Sequence, residues 1–135
     1  MRYVSVALVC LIIGFSSFSV YAGPLCTYQA RISEQDKYNS NDESLLQGKK
    51  VSTAIAAAII RQDRANYHEF DKRDAEDEDD CVFADKGNRA ELEKRLTKHS
   101  IDKSVLRQII FDNPLIRVKV YADSISITIL LEESE

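Results

Sequence analysis

The chain has four glycines and two histidines among its 135 residues, and it carries no excess of positive charge. The glycines form no phosphate-cradling loop and no nucleophile elbow, so neither a nucleotide-loop nor a serine-hydrolase signature is present. His68 and His99 lie far apart, and no Cys/His spacing matches a zinc site or an HExxH pair. Eighteen Lys and Arg against 22 Asp and Glu argue against a nucleic-acid partner, because affinity for phosphate backbones comes mainly from basic side chains. Beyond the first 22 residues no apolar run is long enough to cross a bilayer. No internal repeat is found. These absences leave no motif for a cofactor or a resident metal.

What is present begins at the N-terminus. Arg2, an apolar run from Val4 to Ile13, and Val20-Tyr21-Ala22 before Gly23 read as a secretory signal peptide cut after Ala22. Gly14, the serines at 16, 17 and 19, and the short apolar core set this segment apart from a membrane anchor. Cleavage of residues 1–22 leaves 23–135 as a single domain, exported to a periplasm or the medium, with enough chain for a modest core. Loss of Arg2 moves the formal charge from −4 to −5. Cys10 leaves with the leader. The remaining pair, Cys26 and Cys81, reads as a disulfide in an oxidising compartment. Closing a loop of about 56 residues would stabilise the fold by roughly 4 kcal/mol through chain entropy.

Cys26, Tyr28, Ala30 and Ile32 alternate with polar residues, the period of a half-buried strand. Residues 36–50 turn polar and predict a loop, with Leu45 and Leu46 dipping into the core. From Val51 to about Asn66 the spacing predicts a helix that buries Ala54, Ile55, Ala58 and Ile59. Residues 71–80 carry so much charge that they predict a solvated loop. A second helix is expected to open at Gly87-Asn88, with Asn88 as its cap and Glu91 at the third position. A third starts at Asp102, buries Val105, Leu106, Ile109 and Ile110, and stops at Asn113-Pro114. A hairpin follows, Leu115 to Tyr121 and Ile125 to Leu131. The order predicts an α+β fold: a small three-stranded antiparallel sheet, about three helices packed on one face, and one disulfide.

Three constellations could carry chemistry. At the end of the first helix Arg61, Arg64 and His68 are expected near one face, with Asp63 and Tyr67 on the next. Two guanidinium groups beside an imidazole would suit an anion clamp or a hydrolase using His68 as base, oriented by Asp63 or Asp71; the competing reading is ion pairing that ties loops down. The acidic residues Asp74, Glu76, Asp77, Glu78, Asp79 and Asp80 would suit calcium by ligand type, but their spacing lacks the EF-hand glycine and glutamate. The same acids could face a basic partner. The leading expectation is a small exported protein that binds another exported or envelope protein through this acidic surface, as an inhibitor, immunity-type or accessory factor. A secreted hydrolase and a calcium-binding structural module are the alternatives.

Overall fold

The computed structural model describes residues 22–132 apart from Gln47 and Lys49. The expected leader and Cys10 lie outside the described residues, Ala22 excepted. Alternation of side chains builds the sheet. Strands β1 (Cys26–Arg31), β2 (Leu115–Val120) and β3 (Ile125–Leu130) pair antiparallel in the order β1-β2-β3. The register sets Tyr28 beside Val118 and Ile127, and Ala30 beside Ile116 and Ile129, so one face is apolar throughout. Its opposite face carries Gln29, Arg117 and Thr128 in one row.

Among the described residues four helices supply the second layer of this α+β fold: α1 (Thr53–His68), α2 (Lys86–Ala90), α3 (Leu92–Leu96) and α4 (Lys103–Phe111). The Ser52 hydroxyl caps α1 by accepting from the Ile55 amide, which moves the start past Val51. Its buried stripe is Ala56, Ala57, Ile59 and Ile60, continued by Asp63 and Arg64. Ala54 is exposed, so the face is rotated from the one expected. The reason is that the polar end of the helix is drawn inward and carries the apolar stripe around with it.

The second expected helix differs in two respects. Asp85, not Asn88, is its cap and accepts from the Asn88 amide, while the Asn88 side chain donates to the Val82 carbonyl. At Glu91 the backbone leaves helical geometry, and α2 and α3 become separate short helices. Asp102 caps α4 as expected, accepting from the Ser104 amide. Leu45 and Leu46 pack partly buried against the core. The segment before them is less loop-like than its composition: one turn of 3-10 helix, Glu34–Lys37, buries Asp36 and Lys37. The Lys37 ammonium has three acceptors at 2.9–3.0 Å, Glu34, the Asp112 carbonyl and Asn113, which satisfy its three protons at the end of α4.

The Cys26–Cys81 disulfide is present, with Cα atoms 6.0 Å apart. It joins the start of β1 to the end of the acidic segment. No helix among the described residues is long and apolar enough to cross a membrane.

Candidate functional site

A sheet with two outer strands has two unpaired edges, and their treatment here is opposite. In β1 the alternation of backbone bonds to β2 leaves the amides of Gln29 and Arg31 facing outward. The acidic segment meets them. Gln29 N donates to Glu78 Oε2 at 2.8 Å, Glu78 N returns a bond to the Gln29 carbonyl at 2.9 Å, and Arg31 N donates to Asp77 Oδ1 at 2.9 Å. Glu76 takes the Arg31 guanidinium at 2.7 Å, and Asp74 accepts from the Ser33 hydroxyl at 2.8 Å. The stretch from Asp74 to Asp80 is therefore docked on β1 instead of standing free as expected, while Asp71 to Arg73 stay exposed. The docked carboxylates replace the missing neighbour strand, because an unpaired edge amide and an ionised acceptor satisfy each other.

Asp80 is the inner anchor of that segment. Its side chain is fully buried; Oδ1 accepts from the Val82 and Phe83 amides, and Oδ2 meets His68 Nε2 at 2.7 Å and Arg64 Nη1 at 3.4 Å. Burial would raise its pKa, but the hydrogen bonds from His68, Phe83 and Val82 outweigh this and hold it below the usual range. The Arg64 guanidinium is fully buried as well, stacked between the rings of Tyr28 and Tyr67 at 4.5 and 4.8 Å. It donates to Asp63 at 2.7 Å and to the Glu78 carbonyl at 2.9 Å. Asp63 is pushed up to about 8: burial is the largest cause, the Arg64 charge opposes it, and the Asp36 and Asp77 carboxylates add to it.

These contacts split the expected clamp. Arg61 is exposed and Arg64 is buried, so the two guanidinium groups do not share a face. His68 bonds Asp80, and neither Asp63 nor Asp71 orients it. Among the acids, His68, Asp79 and Asp80 bring ligand-type atoms within 4.8 Å of one another. Asp80 has already committed both oxygens to N–H donors, one of them a guanidinium whose charge opposes a cation there. Asp79 accepts from the Asp80 amide.

The other outer strand is left open. Tyr121 N bonds the Ser124 carbonyl at 2.9 Å, so the β2–β3 ladder continues through Ser126, Thr128 and Leu130. The backbone groups of Ile125, Ile127 and Ile129 then point away from β2. Among the described residues no other backbone group bonds them. The helical layer also stops short: Ile116 and Val118 are fully buried, whereas their neighbours Ile129 and Ile127 are only half-buried. Beside the first half of β3 lies a largely apolar cavity of about 490 Å³, walled by Ile101 and Val105 at the start of α4 and by Tyr121, Ile125 and Ile127. His99, Asp102 and Tyr121 are its titratable groups.

The sequence expectation missed this edge, because alternation says that a strand is half-buried but not which of its sides is covered. One signal was available. Ile125 to Leu131 is an uncharged run in a chain that is 30% charged, without the lysine or proline that commonly protects an outer strand. No family model matches the chain, and no curated protein or solved structure does.

Proposed function

We propose that this is an exported binding protein that takes an extended segment of a partner polypeptide onto the open edge of β3. The observation that carries the reading is the contrast between the edges: one is sealed by carboxylates, and the other has no backbone partner among the described residues and lies beside a largely apolar cavity. Outward N–H and C=O groups at Ile125, Ile127 and Ile129 suit a strand, since only a polypeptide backbone offers the complementary repeat. The adjoining cavity suits one apolar side chain of that segment, which would set specificity. Because Ile125 to Leu131 carries no charge, the contacting part of the partner should be apolar or neutral. The acidic residues serve this function indirectly by keeping the β1 edge out of competition.

Selection of a random-peptide library on the purified protein tests the reading. Binders should be extended, with one large apolar residue, and on binding they should protect the Ile127 and Ile129 amides from exchange. Ile127→Pro, which removes an outward-facing amide and no β2–β3 ladder bond, should abolish binding while the fold is retained. Binders that instead contact Asp74 to Asp80 would replace this surface with the acidic one.

A further inference from the structure

A second cleft lies across α1 from the buried Arg64, and its chemistry differs from that of the β3 groove. Two cavities, of about 200 and 290 Å³, share Ser40, Gln62 and Phe70 as a common wall. Tyr38 and Phe70, 44% and 45% exposed, flank the first cavity, although neither large ring is needed to close the core. The second is walled by Arg61 and Lys86, whose side chains have no hydrogen-bond or ion-pair partner among the described residues, and by Arg89, which pairs with Glu69. Only two non-glycine residues among those described adopt positive φ, Asp42 (59°) and Asp71 (52°). Asp42 lines the first cavity, and Asp71 sits between its wall residues Phe70 and Lys72. Backbone conformations of this kind gather where loops are shaped around a ligand.

The polar wall is oriented from within. Asp36, 1% exposed, accepts from the Asn66 amide nitrogen at 2.8 Å, and Asn66 Oδ1 in turn accepts from Gln62 Nε2 at 2.9 Å. A carboxylate accepts only, so the relay has one direction. It leaves Gln62 Oε1, which has no partner among the described residues, as an acceptor on the shared wall. With the Asp42 carboxylate nearby, the first cavity presents acceptors that call for a ligand rich in donors. The Arg61–Lys86 end calls for one negative charge. Aromatic faces, oriented acceptors and a cationic end together match a ring bearing hydroxyl groups and a carboxylate.

We infer that this cleft binds an acidic saccharide, with its ring against Phe70 and Tyr38, its hydroxyl groups donating to Gln62 and Asp42, and its carboxylate at Arg61 and Lys86. Phosphate alone fits less well, because it brings no ring to Tyr38 and Phe70. This site is independent of the β3 edge, and its success or failure leaves that reading untouched.

Amide NMR titration of the full exported chain with digalacturonic acid, with neutral galactobiose and with a purine mononucleotide is the test. At about 10 mM ligand, a site of about 1 mM affinity is mostly filled. Digalacturonate should shift the resonances of Ser40, Gln62 and Phe70 saturably, and galactobiose should do so more weakly. Arg61→Ala with Lys86→Ala should weaken the uronate about tenfold and leave the neutral sugar unchanged, since a charge-assisted contact is lost and nothing else. Phe70→Ala should weaken both. Absence of saturable shifts at these residues with both saccharides, or tighter binding of the nucleotide, overturns the inference.

Discussion

Arg64 and Arg61 are one turn apart on α1 and have opposite roles. Arg64 fills a closed slot between two tyrosine rings and holds Asp63, the Glu78 carbonyl and Asp80 together. Truncating it would leave the ionised, buried Asp80 without this counter-charge and empty the slot between the rings, the costly way to break a buried pair. Arg64→Ala should therefore cost about 3–5 kcal/mol in urea unfolding, while Arg61→Ala should stay within about 0.5 kcal/mol. Equal effects would contradict the division of roles. Asp63 also makes a pH prediction. With a folded pKa of about 8 against an unfolded value of about 4, the native state holds a proton that the unfolded chain gives up. The stability from this group is complete below about pH 4 and is lost as pH rises through about 8. Thermal midpoints should therefore fall from pH 5 to pH 8.5, and Asp63→Asn should flatten the fall. Glu76 and Glu78 act in the opposite sense, since hydrogen bonds hold both below the usual range; the stability they add is lost as pH falls through their folded values.

Among the elements, the acidic segment behaves as a substitute strand, and its residues should rank by what they leave unpaired. Asp77 accepts from both the Arg31 and Asp74 amides and is half-buried. Glu78 is exposed, so water can replace it at Gln29. Asp79 accepts only from the next residue's amide. Alanine substitution should cost about 1–3 kcal/mol at Asp77, less at Glu78 and almost nothing at Asp79, as read from denaturant midpoints. Three comparable losses would mean that the segment is held by general charge effects and not by these bonds. The strands, α4 and the disulfide were legible in the sequence because alternation, an Asp102 cap and a lone cysteine pair are local signals. The docking of residues 74–80 was not, because charge density predicts solvation unless the partners are known, and Gln29 and Arg31 lie more than 40 positions away. The rotated face of α1 has the same origin: Asp63 and Arg64 read as surface residues until β1 supplies Tyr28 and the acidic segment supplies Asp80.

At the scale of the whole molecule, charge and exposure are unevenly divided between the two ends of one small sheet. The β1 side carries the disulfide, the buried Arg64 network and a row of carboxylates. The β3 side carries half-buried isoleucines, an uncharged run and a cavity of about 490 Å³. Among the described residues this leaves one open edge, the one that the proposed strand addition uses. Hydrogen exchange of the unliganded protein, resolved amide by amide near neutral pH, tests this asymmetry most directly. The account predicts protected amides at Gln29 and Arg31, held by Glu78 and Asp77, and rapid exchange at Ile127 and Ile129. Equal protection at the two edges, or slower exchange at Ile127 and Ile129, would contradict it.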